Sequence, residues 1–218
     1  DKNNKYLDII SQNAYRMLRL VNNLIDLVKM DVDSFSLRFK NVDIVQLLNK
    51  ITYSVQDYID SKDRKIEFIS ELDKKIIKCD PVNIERIVLN LLSNAVKFTE
   101  EGDKITVALS KGEGNINFSI KDEGIGIKQD KLNQIFEEFN QVDDSLDKNS
   151  GGSGLGLSIV KSLVEMHDGR IKVESEYGEG TVFTIILPDK KIKGEEVKEL
   201  GQEDNIDRTA VELSDLEI

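Results

Sequence analysis

The stretch GGSGLGLSIV, Gly151 to Val160, puts four glycines into its first six residues and runs straight into an apolar segment with helical spacing. Glycine admits positive φ and lets another group lie close against the backbone, while the amides at a helix start attract anions, so a phosphate is the first candidate ligand. Neither of the two best-known phosphate loops fits. A P-loop closes on Gly-Lys-Ser/Thr, and here Gly156 is followed by Leu157 and Ser158. A dinucleotide fingerprint counted from Gly152 meets Leu157 where it needs glycine, and counted from Gly154 it meets Ile159. What precedes the glycines is the polar run DDSLDKNS, 143–150, rather than a buried strand. A flexible linker or a plain helix start is the bland alternative, and the rest of the chain has to decide.

Composition narrows the field. The chain has 218 residues, 39% hydrophobic and 33% charged, enough for one good core and a small second element, and it reads as globular. A net charge of -11 argues against a general affinity for nucleic acid or anionic membrane, so any phosphate site must be local. Cys79 is the one cysteine and His167 the one histidine, which excludes an internal disulfide and a Cys/His zinc set. The chemistry has to come from Asp, Asn, Lys, Gly and the backbone. No apolar run approaches the roughly 18 residues that span a bilayer, and no signal peptide is visible; a cytoplasmic fragment of a longer protein is expected, with any membrane anchor outside this stretch.

Four regions follow from the pattern. In residues 1–31, Leu7, Ile10, Ala14, Met17, Val21, Leu24 and Val28 alternate spacings of three and four, a heptad seam that Leu20 and Leu27 widen, so one long helix of a helical bundle is expected. Residues 32–42 are a connector. From 43 to 188 the sequence predicts a helix capped by Asp43 and Gln46, a strand at 65–70, a helix from Asp80-Pro81 to about Phe98, a hairpin of 104–110 and 115–121, helices at 132–139 and 155–167, and a last hairpin of 170–175 and 181–187. Three main helices with five or so mostly antiparallel strands make an α+β two-layer sandwich. Residues 189–218 carry twice as many acidic as basic side chains with little periodicity, the composition of a largely disordered acidic tail.

Within that frame two more stretches carry chemistry. Asn90, Asn94 and Lys97 stand at i, i+4 and i+7 in IVLNLLSNAVKF, on one helix face. Amides in an apolar segment are costly without partners; their oxygens suit a hydrated magnesium ion, and Lys97 a phosphate, although interior amides satisfied by backbone would look the same. DEGIGI, Asp122 to Ile127, follows directly on a strand, and an aspartate there beside glycines can accept a hydrogen bond from a flat ring; an ordinary turn is the alternative. In chain order the three stretches supply a metal and phosphate face, an adenine acceptor and a glycine loop, which together make a nucleotide site without a P-loop.

These motifs resemble those of the catalytic and ATP-binding domain of two-component sensor histidine kinases, in the superfamily shared with DNA gyrase, a heat-shock chaperone and the MutL proteins. NLLSNAVKF, Asn90 to Phe98, resembles the N box, DEGIGI the first glycine box, IFEEF, Ile135 to Phe139, the F box, GGSGLGL the second glycine box and GEGT, Gly178 to Thr181, the last. The resemblance implies a Bergerat-type ATP-binding fold, a mixed sheet with three main helices on one face, preceded by a bundle helix. It implies ATP and Mg2+ as cofactors, with Asn90 and Asn94 on the metal and Asn90, Asn94 and Lys97 catalytic. ATP contacts are implied for Asn94, Lys97, Phe98, Asp122, Gly124, Gly126, Ile127, Phe139, Lys148, Gly152, Ser153, Gly154, Leu155, Gly156, Leu157 and Thr181, with Asp122 on the adenine amino group and 140–153 as a lid. The leading helix resembles the second helix of a dimerisation and histidine phosphotransfer domain, which implies a homodimer, an acceptor histidine on a preceding helix, and a response regulator receiver domain as partner. An ATP-hydrolysing clamp, or a nucleotide-binding regulatory module, is the alternative; the hydrolysing relatives carry a glutamate base where this chain has Asn90, which cannot serve as one.

Overall fold

The computed structural model describes residues 2–138 and 154–198. Its central element is helix α4 (Pro81–Phe98), whose start is fixed by Asp80: the carboxylate accepts hydrogen bonds from the amides of Val82 and Asn83 at 3.0 and 3.3 Å, and Pro81 occupies the first helical position. Ile84, Ile87, Val88, Leu91, Leu92 and Ala95 bury one face of this helix. On either side of it pack α2 (Ile44–Ser54) and α5 (Gly156–Met166), and the short α3 (Gln56–Ser61) closes the end. These helices cover one face of a five-stranded sheet.

The sheet strands are β2 (Lys65–Ser70), β4 (Lys104–Lys111), β5 (Asn115–Asp122), β6 (Arg170–Glu176) and β7 (Gly180–Pro188), in the order β2-β4-β5-β7-β6. Only β2 and β4 run parallel, because helix α4 lies between them in sequence and serves as the crossover that a parallel pair needs. The two hairpins pair antiparallel, as their turns require. Alternate residues point to the helices: Ile105, Val107 and Leu109 on β4, Ile116, Phe118 and Ile120 on β5, Phe183, Ile185 and Leu187 on β7. This is the expected α+β sandwich with a mixed sheet.

Several local expectations are corrected. Asp43 stands at the start of α2 but makes no side-chain cap; its carboxylate accepts from the Lys75 amide at 3.1 Å instead. The segment expected as a helix at 132–139 is, through 138, a chain of turns in which Lys131, Gln134 and Glu137 each bond back three residues, fixed by buried Ile135 and by Phe136 edge-on to Phe183. Two strands that the sequence did not reveal, β1 (Lys40–Asp43) and β3 (Ile76–Cys79), pair antiparallel in a separate small sheet. Their four residues are too few for alternation to register.

Past Pro188 the chain goes on to bond this small sheet. Asn41, buried, donates from its amide to the carbonyls of Ile192 and Glu195, both at 2.9 Å, and accepts from the Ile192 amide at 2.8 Å. The Lys198 amide donates to the Asn41 carbonyl, and Val197 bridges to Asn41 in parallel fashion.

Helix α1 (Lys2–Asp31) is 30 residues long, about 45 Å. Its apolar seam faces away from the rest of the molecule: Leu7, Ile10, Met17, Val21, Leu24 and Val28 are all about half exposed or more. The opposite stripe, Gln12, Arg16, Arg19, Asn23, Asp26, Leu27 and Met30, is the buried or half-buried one and meets the sandwich near α4 and α5. Two residues of offset between stripes amount to about 200° around a helix, which is why they fall on opposite sides. No helix among the described residues is long and apolar enough to cross a membrane.

Candidate functional site

At the middle of α4, Asn90 is buried to 2% exposure, and its amide group donates to the Arg86 carbonyl one turn back at 2.9 Å. That bond fixes which way the carboxamide points, because the nitrogen end is taken by backbone. The other end, Oδ1, faces the first residue of α5: a Cβ built on Gly156 would lie 2.9 Å from it. Glycine is required there to let the oxygen in. The chemistry of this donor set, an oriented amide oxygen beside a glycine cradle, fits a hard divalent cation, and the oxygen already faces positive charge, since Arg19 Nη2 of α1 donates to it at 3.4 Å.

One turn on, Asn94 is half-buried and its side chain makes no hydrogen bond among the described residues. Lys97 and Phe98 at the end of α4 are half-buried as well, with the Lys97 ammonium 5.0 Å from the centre of the Phe98 ring. The helix stops at Thr99, whose hydroxyl donates back to Ala95 at 2.8 Å. The Phe98 carbonyl is then left to accept from the Ile125 amide at 3.0 Å, which ties the end of α4 to the DEGIGI loop.

Asp122 is the last residue of β5 and is 5% exposed. Its carboxylate accepts from the Gly124 amide at 3.0 Å and from the Thr181 amide of β7. Burial raises its pKa above the ordinary carboxylate range, and these two backbone donors oppose the rise. The glycines around it are places where backbone meets backbone. A Cβ on Gly124 would lie 2.1 Å from the Phe98 carbonyl oxygen, on Gly126 2.0 Å from that of Glu176, and on Gly180 2.1 Å from that of Asp122. Gly126 and Gly180 also have φ of +66° and +102°. Thus the loops carrying Phe98, Asp122 and Thr181 are bound into one unit, with the Gly178 amide closing the circle on the Ile125 carbonyl at 2.8 Å.

Sequence reasoning did not pick out Ser175. Its hydroxyl donates to the Gly180 carbonyl at 2.8 Å, lies 3.0 Å from the Thr181 hydroxyl and accepts from the Ile127 amide at 2.8 Å, so one side chain joins the first and last glycine boxes. A serine in the alternating strand RIKVESE carries no local signal. Arg86 was missed too. It holds α1 through Asp26 at 2.6 Å and Asn23 at 2.8 Å. Two amide nitrogens on the same stripe of α1, Gln12 Nε2 and Asn23 Nδ2, are buried without a partner, each at a cost of about 1–3 kcal/mol.

Of the residues expected at a nucleotide site, the structure gathers Asn90 with Gly156, and Phe98 with Asp122, Gly124, Gly126 and Thr181. Leu155 is buried, and Gly154, Leu157 and Ile127 are half-buried alongside. Phe139, Lys148, Gly152, Ser153 and the expected lid lie outside the described residues. His167, at the far end of α5, is buried and fully engaged: Nε2 accepts from the Asp80 amide at 3.1 Å, so Nδ1 carries the proton and donates to Leu163 at 2.7 Å. Burial lowers its pKa below the usual histidine value. The Cys79 thiol is likewise buried and pushed up to about 12, chiefly by desolvation. Neither side chain is poised for chemistry.

A family model described as "Histidine kinase-, DNA gyrase B-, and HSP90-like ATPase" matches residues 79–191. Sensor histidine kinase TmoS of Ectopseudomonas mendocina is 38% identical over 186 residues, which cover 84% of this chain and 19% of that protein. Sensor histidine kinase WalK of Bacillus subtilis strain 168 is 32% identical over 191 residues, covering 86% of this chain and 31% of WalK. The chain therefore spans a third or less of the length of these relatives. Among solved structures, full-length ShkA in complex with AMPPNP superimposes with a TM-score of 0.75 at 28% identity, over 86% of this chain and 39% of ShkA.

Proposed function

The chain belongs to the histidine kinase-, DNA gyrase B- and HSP90-like ATPases, as a histidine kinase ATP-binding domain, and from that premise we propose that it holds ATP with Mg2+ and directs the γ-phosphate to a histidine on a separate phosphotransfer helix. Bound Mg-ATP supplies the electrophilic phosphorus and a leaving group whose growing charge the metal neutralises. Everything else falls to the side chains and amides of the chain.

Asp122 accepts a hydrogen bond from the exocyclic amino group of the base, which selects adenine over guanine because guanine presents a carbonyl there. Gly124, Gly126 and Ile127 form the floor under the ring, with Phe98 and Thr181 at its edges. Asn90 and Asn94 turn amide oxygens to the metal, Lys97 offers its ammonium to phosphate, and the backbone of Gly154, Leu155, Gly156 and Leu157 offers amides. Phe139, Lys148, Gly152 and Ser153 are assigned to ATP binding as well. The attacking imidazole comes from outside: His167 lies at the opposite end of an 11-residue helix, about 16 Å from Gly156, far beyond the roughly 3 Å approach an in-line attack needs. We assign residues 1–31 to the second helix of the phosphotransfer domain, 32–42 to a connector, 43–188 to the ATP-binding domain and 189–218 to the tail, and the exposed seam of α1 to a homodimeric bundle that delivers the acceptor. A response regulator receiver domain then takes the phosphate.

The observation that carries the reading is the Asn90 oxygen, oriented by the Arg86 carbonyl and admitted beside Gly156. The test supplies a dimeric histidine-bearing phosphotransfer domain with labelled ATP. Acid-labile label on that domain's histidine is the expected result, and phosphate released to water without protein label would point to the hydrolytic clamp.

A further inference from the structure

The stripe of α1 that meets the sandwich is polar from Gln12 to Asp26, and these polar contacts converge on the metal side of the site. Asp26 and Asn23 hold the two terminal nitrogens of Arg86, and one turn along α4 Arg19 donates to Asn90 Oδ1. Arg19 is 7% exposed, and its Nη2 lies 4.0 Å from the position of a Gly156 Cβ. A guanidinium therefore sits in the wedge between Asn90 and the glycine box, in front of the oxygen that a divalent cation needs.

We propose that Arg19 is a gate on the cation position: with α1 docked, its guanidinium stands in for the metal, so that loading of a divalent cation with nucleotide and docking of α1 exclude each other. The proposal rests on the assignment of Asn90 as a metal ligand. Two cations cannot share one amide oxygen at close range, since like charges a few ångströms apart repel and the site is shielded from water. The docked face is also suited to letting go. Apart from Leu27 and Met30 at its C-terminal end, its contacts are polar; Gln12 Nε2 and Asn23 Nδ2 are buried there without partners, and both would be hydrated on release. Because the apolar seam of α1 is exposed on its other side, undocking leaves the seam available to the bundle assigned to it above.

The test measures binding and position. Affinity for AMPPNP is read by calorimetry with Mg2+ and with EDTA, in wild type, Arg19→Ala, Asp26→Ala and Asn90→Ala. If α1 is docked about nine-tenths of the time, apparent affinity is weakened about tenfold, and Arg19→Ala recovers that factor with Mg2+ and changes nothing in EDTA. Asp26→Ala, which loosens docking without touching Asn90, moves affinity in the same direction. In parallel, spin labels on Asn22→Cys and Lys161→Cys, both exposed sites, report the separation of α1 from α5; Cys79 is buried and does not compete for label. Saturating Mg-AMPPNP is expected to lengthen that distance. If Asn90→Ala loses the Mg2+-dependent part of affinity while Arg19→Ala binds as wild type, or the distance is unmoved at saturation, the gate is overturned and the site reading stands. If Asn90→Ala keeps its full Mg2+ dependence, the metal assignment fails and the gate fails with it.

Discussion

Two alanine substitutions two residues apart, Gly178→Ala and Gly180→Ala, separate backbone strain from backbone collision in the last glycine box. Both glycines have positive φ, +94° and +102°, so either alanine adopts an unfavourable conformation at about 1–2 kcal/mol, and either gains the same 0.4–1 kcal/mol or so from a stiffer unfolded chain. These terms cancel in the comparison. Their surroundings differ: a Cβ at 178 meets nothing within 4 Å, whereas at 180 it would lie 2.1 Å from the Asp122 carbonyl oxygen and 3.1 Å from the Glu123 Cα. No rotamer relieves that contact, because every atom in it is backbone, so β5 and β7 must part locally at the Asp122–Thr181 pair. Forcing extra volume into packed structure costs about 1–3 kcal/mol. With about 2–4 °C per kcal/mol for a domain of this size, Gly180→Ala should melt about 2–12 °C below Gly178→Ala. Calorimetric unfolding measures the difference, and nucleotide titration adds a second reading: Gly180→Ala displaces the Asp122 carboxylate and weakens ATP binding, while Gly178→Ala leaves it near wild type. Equal melting temperatures with equal affinities would refute the argument that these glycines are needed where backbone meets backbone.

Asp122→Ala should weaken ATP binding by about 1.5–3 kcal/mol, roughly 10- to 100-fold, without a matching loss of stability, as read by calorimetry alongside thermal melting. The Asp122 pKa is raised by burial and the acceptor must be ionised, so ATP affinity should begin to fall at a higher pH than for an exposed carboxylate; an affinity flat down to the ordinary carboxylate range contradicts the role. His167 has the opposite sign: its folded pKa is depressed, the unfolded chain takes the proton first, and stability present above about pH 6.5 is lost as pH falls through the folded value. His167→Gln should flatten that part of the stability profile in denaturant titrations. Incubated alone with labelled ATP, the chain should acquire no acid-labile phosphate on His167, which is buried with both ring nitrogens engaged.

Legibility followed the length of the repeating pattern. Helix α4 was readable from end to end because its cap, its first proline and five turns of apolar spacing all agree, and the two hairpins because eight or so residues alternate on each side of a glycine turn. Strands β1 and β3 were invisible at four residues each, and 132–138 was misread because Ile135 and Phe136 anchor a series of turns whose apolar content is that of a short helix. In α1 the apolar seam was plain, but its orientation was not. Gln12, Arg16, Arg19, Asn23 and Asp26 would pass as a solvated face, although their spacing of four, three, four and three matches the seam, and a polar stripe that keeps a heptad register is a signal in its own right. In the site, Asn90 and Asp122 were found because a polar residue in apolar surroundings, or at a strand end beside glycines, is conspicuous. Ser175 and Arg86 look ordinary in sequence, and only the fold brings them to their partners.

Asn41 has a mechanical consequence. The chain comes into the sandwich through β1 and leaves it along residues 190–198, and this one side chain together with its own carbonyl accounts for four hydrogen bonds between the two paths. Tension applied between α1 and residues 190–198 is therefore borne first at that junction and in the two-stranded sheet beside it, upstream of the five-stranded sheet that carries Asp122. A pull transmitted along α1 can be absorbed there like a strain relief on a cable, leaving the nucleotide-facing loops unloaded.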